Sequence, residues 1–143
     1  MKSISIAAAA AVLAGLAAAP TQAAEVEIKN AVARVVVIVE DRNDVAVEIT
    51  QGRSSLPNLQ VRRSGSDVEI DGGLRRSGVF GSSQLIGSCN SGPAGASQPG
   101  QGAMVEVRGM GRVQMEDAPL VVLRTPRDVV LNSNGAVFGA IGR

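Results

Sequence analysis

The stretch Ala33-Arg34-Val35-Val36-Val37-Ile38-Val39-Glu40-Asp41-Arg42-Asn43-Asp44-Val45-Ala46-Val47-Glu48-Ile49-Thr50 decides the fold class. Its first part is a nearly continuous aliphatic run. Its last part alternates, with Val45, Val47 and Ile49 on one side and Asp44, Glu48 and Thr50 on the other. Alternation with a period of two is the mark of a strand, because successive Cβ atoms of an extended chain point to opposite faces. Between the two runs, Glu40 to Asp44 reads as a hairpin turn with solvated charges. Its oxygens could in principle hold Ca²⁺, but the spacing is not that of a calcium loop and Arg42 sits in the middle.

The same pattern extends in both directions. Val26 to Ile28 precedes it. Leu59-Gln60-Val61-Arg62, Asp67-Val68-Glu69-Ile70-Asp71, Met104-Val105-Glu106-Val107-Arg108 and Val113-Gln114-Met115-Glu116 repeat it, and Leu120 to Leu123 and Val129 to Leu131 add two aliphatic runs. Turn residues fall between: Gln51-Gly52, Ser64-Gly65-Ser66, Asp71-Gly72-Gly73, Thr125-Pro126 and Asn132-Ser133-Asn134-Gly135. After residue 24 no segment keeps a helical period. Strand starts about 8 to 12 residues apart predict an all-β sandwich, barrel or solenoid. Phe80 and Phe138 are the only aromatic residues, with no Trp and no Tyr. Stacked Val, Ile and Leu suit a narrow interior, which favours a short-stranded β-solenoid or β-helix-like domain over the alternative, a β-sandwich.

Residues 72–102 differ in kind. They are rich in Gly and Ser, include Pro93 and Pro99, and hold little strand pattern beyond Val79-Phe80 and Leu85-Ile86. Such a segment buries too little apolar surface to offset its ordering, so a long mobile loop is expected. Gly109-Met110-Gly111-Arg112 and the glycines from Gly135 to Gly142 lack the spacing of nucleotide or phosphate loops and read as turns.

The N-terminus reads as a secretory signal. Lys2 supplies a positive start, Ile6 to Ala19 is an uncharged Ala- and Leu-rich run, and Pro20-Thr21-Gln22-Ala23-Ala24 supplies small residues for cleavage between Ala23 and Ala24. A membrane-spanning helix needs about 20 strongly apolar residues. This run is shorter, is broken by Pro20, and is followed at once by Glu25 and Glu27. Residues 1–23 are therefore expected to be a signal helix that touches the membrane only transiently. Residues 24–143 are expected to form one exported all-β domain, open to continuation beyond its C-terminus, in the periplasm or at the cell surface.

Composition narrows the chemistry. Without Lys2, thirteen basic residues face thirteen acidic ones, so no net field steers the domain toward nucleic acid. The chain has no His, which removes Ser-His-Asp and Cys-His relays and His-ligated zinc; lacking Trp and Tyr, it has no such platform for stacking sugars or bases. No catalytic, cofactor or metal residues are assigned, and the protein is not expected to be an enzyme. Cys89, the single cysteine, would be a free thiol, half of an intermolecular disulfide, or the partner of a cysteine missing from this sequence. Two alternatives remain. A polysaccharide-processing β-helix enzyme would need paired carboxylates on one face, with Glu48, Glu69 and Glu106 as candidates. A ligand- or polyanion-sensing module would use Arg62-Arg63 and Arg75-Arg76.

The run Ala33 to Ile49, with Leu59-Gln60-Val61 and Asp67-Val68-Glu69-Ile70, resembles the opening of the bacterial head-GIN-domain proteins, a family labelled as autotransporter adhesins. The later Leu120 to Val129 and Asn132 to Gly139 resemble the start of that family's repeating β-solenoid section. The resemblance implies an exported β-solenoid with an adhesion or envelope role and carries over no catalytic residue. An uncapped last coil would expose an open β edge, a route to self-association or to a partner chain.

Overall fold

The computed structural model describes residues 22–142. Its centre is β1, a single strand of 15 residues, Glu25–Val39. The apolar runs around Val26 and Val35, read separately in the sequence, are two halves of this strand. They are joined through Asn30, which takes the left-handed conformation with φ of 50°. Asn adopts that region more readily than β-branched residues do.

Asn30 is an extra residue that keeps both halves facing the same way. Before it, Val26 and Ile28 point into the core; after it, Ala31, Ala33, Val35 and Val37 do. Side chains alternate strictly along a strand, so a one-residue shift is what brings odd-numbered positions onto the face that even-numbered ones held. The pairing records the shift, since Lys29 pairs with Asn134 and Ala31 with Gly135, leaving Asn30 unmatched. Its side-chain amide reaches toward Asp71 at 3.5 Å.

Three parallel partners flank β1. Along one edge lie β4 (Asp67–Asp71), beside residues 26–29, and β10 (Leu120–Thr125), beside residues 34–39. Along the other runs β11 (Val130–Gly142), in register from Glu25↔Val130 to Ile38↔Gly142. Two antiparallel strands finish the sheet: β2 (Ala46–Thr50) on β10 and β3 (Gln60–Ser64) on β4. These six strands curl into half a barrel. Its concave face holds the first core, in which Val26, Ile28, Ile70, Val121 and Leu123 are fully buried.

The line formed by β4 and β10 is interrupted. After Asp71 the chain stays against β1 through bonds from Gly72 N to Lys29 O and from Leu74 N to Asn30 O. It returns where Pro119 O accepts from Arg34 N at 2.8 Å. Residues 75–118 leave and come back between these points. They form a hairpin of β5 (Arg75–Gly78) and β6 (Gly81–Gln84), then a meander of β7 (Ile86–Asn90), β8 (Met104–Val107) and β9 (Gly111–Gln114), then a 3₁₀ turn at Met115–Asp117. That turn is the only helical element among the described residues. The meander covers the convex side of the corner with a second core of Val32, Leu74, Val105, Val107, Met115 and Ala136.

The chain is all-β, as its periodicity predicts. Three local expectations change. Residues 72–102, read as a loop, contain β5, β6 and β7. Asn132 to Gly135 and the glycines through Gly142, read as turns, lie inside β11. Polar and Gly-rich residues are extended there because β1 supplies a backbone template along their whole length. The Gly109-Met110-Gly111 turn forms as expected, joining β8 to β9 with φ of 82° at both glycines.

Asn30→Val is expected to destabilise the fold by about 1 to 2 kcal/mol, the cost of a left-handed non-Gly residue, while Asn30→Gly stays close to the parent. Urea unfolding midpoints check this, and equal losses for both variants would show that the side chain matters more than the conformation.

Candidate functional site

β11 is where the sheet stops. Among the described residues its only strand partner is β1, so its second edge presents backbone N–H and C=O groups without a neighbouring strand. Proteins commonly protect such edges with charge, proline, bulges or short length. β11 has thirteen residues, VLNSNGAVFGAIG, without proline or charge. Val130 and Leu131 at its start and Ile141 near its end are exposed. From the β1 side, Val130 N donates to Ala24 O at 2.9 Å and the Asn132 amide donates to Glu25 Oε1 at 2.6 Å; from residues 75–118, Gln84 Nε2 donates to Asn134 Oδ1 at 2.6 Å, and Ala136 and Phe138 pack into the second core.

The inner face of β11 continues the first core without being closed over. Pairing sets Leu131 beside Val26, Ser133 beside Ile28, Val137 beside Ala33 and Ile141 beside Val37. A shallow apolar concavity of about 230 Å³ follows, lined by Ile28, Val35, Val37, Leu131, Val137 and Ile141 among others. The outer strands of the sheet are protected differently. β3 places Arg62 and Arg63 in an entirely exposed strand, and β2 carries exposed Glu48.

The sequence-derived candidates lie elsewhere. Glu48, Glu69 and Glu106 stand on β2, β4 and β8, the last in a different sheet. Glu69 is engaged by Lys29 Nζ at 2.8 Å and Arg62 Nη1 at 3.2 Å. Glu106 accepts from the Ser88 hydroxyl at 3.3 Å. Of the arginine doublets, Arg63 donates to Val45 O at 2.9 Å and Arg75 binds the Ser82 hydroxyl across its hairpin. In the Glu40–Asp44 turn, Arg42 bridges Glu40 and Asp44, placing a guanidinium between the carboxylates a cation would need. Among the described residues no cluster of three or more His, Cys, Asp or Glu could hold a metal ion.

Cys89 is an exposed free thiol on β7. It shares an open concavity of about 240 Å³ with Glu106 and Arg112, which strand pairing sets opposite each other. Arg112 lies 23 positions from Cys89 in sequence, so reading the surrounding stretch alone does not find it. Val79 and Phe80 stand fully exposed at the tip of the β5–β6 hairpin. Of the expected cleavage residues, Ala24 is buried in the first core and Ala23 just precedes it. Residues 1–21, which carry the expected signal run, lie outside the described residues. No described helix is long and apolar enough to cross a membrane.

No family model, curated protein or solved structure matches this chain.

The charge cluster across β1, β4 and β3 gives a measurable electrostatic signature. The hydrogen bond from Lys29, reinforced by charge attraction to Lys29 and Arg62, holds the Glu69 carboxyl below its ordinary value of 4.5 against the opposing effect of desolvation. The same bond raises Lys29 above 10.5. A depressed carboxylate contributes stability above its unfolded value and loses it as pH falls through the folded one; a raised amine contributes below 10.5 and loses it as pH climbs through its folded value. Lys29→Met should therefore move the Glu69 midpoint up toward 4.5, and Arg62→Gln should move it up less. Carboxyl NMR titration reads both, and an unmoved midpoint in Lys29→Met would refute the assignment.

Proposed function

We propose that this chain is an exported cell-envelope protein that works as a non-enzymatic interaction module, taking on a partner strand along β11. The observation that carries this reading is an edge strand of thirteen residues without charge or proline, partnered on one side alone among the described residues. Strand addition gains affinity from main-chain hydrogen bonds and specificity from alternate side chains. The free edge supplies the first and the Leu131–Ile141 face the second.

On the same reading, the β4–β10 line, β1 and β11 are successive rungs of a short β-solenoid, with the insertion 75–118 looping out of the first. Parallel pairing on both edges of β1 supports this, as does the stacking of the Asn30 corner beside Gly135, where φ is 133°. The resemblance to head-GIN-domain proteins points the same way, toward adhesion or envelope organisation. For export, the support is the signal-like sequence ending at Ala23. Ala24, just beyond the expected cut, lies in the core, so cleavage there would precede the final closure of β1 against β11.

Cell fractionation with N-terminal sequencing tests the reading. The protein is expected outside the cytoplasm, beginning at Ala24, with part of it retained on the envelope. Leu131→Lys/Ile141→Lys, which charges two exposed positions of β11, should be exported and folded but released into the soluble fraction. Cytoplasmic protein with an intact Met1 would overturn export. Unchanged retention of the folded double variant would overturn the role of the edge.

A further inference from the structure

We infer that the occupant of the β11 edge is a second copy of this chain, paired antiparallel about Ala136 to give a two-fold dimer with one continuous sheet. This deepens the reading of β11 as a docking edge and rests on it.

The choice of partner follows from the asymmetry of the edges. A head-to-tail assembly would set β11 of one copy against β2 or β3 of the next. Those strands carry Glu48 or the Arg62-Arg63 pair. β11 has no charge to meet them. Against another β11, no charge needs to be desolvated, and a two-fold contact uses the same patch on both copies. Stacked on itself, the strand satisfies its own backbone edge.

The length of β11 fixes the register. The strand runs from Val130 to Gly142, so Ala136 is its middle residue. Gly135, whose φ is 133°, is next to that midpoint. An antiparallel copy centred on Ala136 pairs all thirteen residues and sets the two Gly135 positions symmetrically about the axis, each facing Val137 of the other copy, whereas a shifted copy would leave residues at both ends unpaired. A two-fold axis perpendicular to the sheet also keeps both concave faces on the same side. The six strands of each copy then join into one sheet of twelve, along a paired contour of about 43 Å at about 3.3 Å per residue.

Side chains agree with this register. Leu131, 39% exposed, falls opposite Ile141 of the second copy, 77% exposed, and the symmetry makes the contact twice. Both lie on the face that continues the first core, so the dimer extends that core across the junction. Asn134 falls opposite Phe138, Ser133 opposite Gly139 and Gly135 opposite Val137, which puts no charge and no bulky pair at the midpoint.

Sedimentation of the protein, expressed as the full chain and purified as the host processes it, tests the pairing when run across concentrations with reductant present to exclude disulfides through Cys89. The parent is expected to rise from monomer to dimer mass. Leu131→Lys/Ile141→Lys should remain monomeric, because each new Lys faces another. Leu131→Lys/Ile141→Glu should dimerise again, because each Lys then faces a Glu. Far-UV circular dichroism of both variants verifies the fold. A parent that stays monomeric would overturn the dimer, while envelope retention that still depended on Leu131 and Ile141 would leave the docking edge standing. Dimers of the Lys/Lys variant would move the contact away from β11. Failure of Lys/Glu to restore association would overturn the antiparallel register and the proposal with it.

Discussion

The backbone pairing of β1 is the constraint from which the rest of the sheet follows. A strand of fifteen residues at the centre of a fold must bond its N–H and C=O groups on both edges, because buried backbone groups left without partners are costly. One edge is met by β11 as a single piece. The other is met by two separate strands, β4 and β10, which arrive 49 residues apart in sequence, as Asp71 and Leu120 mark. Everything between them has to leave the sheet and return within the space beside residues 31–33. The bend at Asn30 is at that junction, and the second core grows on its convex side.

Close approach at the junction selects small residues. Gly72 passes directly over the corner, and a Cβ there would stand 2.5 Å from Ala31 Cα and Asn30 O. Gly135 meets the corner from the other edge, where a Cβ would stand 2.3 Å from Ala31 O. Ala31 and Ala33 face the first core at the tightest part of the curl, and Val32 faces the second. The first core holds only Ala, Val, Ile and Leu. The two Phe residues accordingly sit at the margins, Phe138 against the second core and Phe80 in solvent.

The fold class was legible because most strands carry a charged or polar face that alternates with an aliphatic one. Asp67 to Asp71 is the clearest case: the expected and observed bounds coincide, and Val68 and Ile70 are buried as the alternation requires. β11 was not legible beyond its first residues, and the reason is physical. Asn132, Asn134, Gly135, Gly139 and Gly142 prefer turns when taken alone, and a parallel neighbour overrides that preference by pairing with one edge of the strand along its whole length. β5 to β7 escaped notice for a related reason, since Ser and Gly pack little and their strands are exposed hairpins. As for the site, Glu48, Glu69 and Glu106 were visible as outward carboxylates, but their separation over three strands depends on topology. The approach of Arg112 to Cys89 depends on the β7–β8–β9 pairing, which spacing along the chain does not encode.

The contrast between the edges of the sheet says more about function than any single side chain. Charge on an edge strand is easily acquired, and β2 and β3 carry it, in keeping with how exposed edges are commonly protected. β11 lacks it over thirteen residues while exposing aliphatic side chains at both ends. Holding such a strand flat against β1 keeps its outer groups aligned at the spacing a further strand would match. The length of the strand adds selectivity, because a shorter partner strand leaves part of the edge unbonded. Among the strands of this chain, β11 itself, read in the opposite direction about Ala136, matches that length residue for residue and brings no charge to the contact.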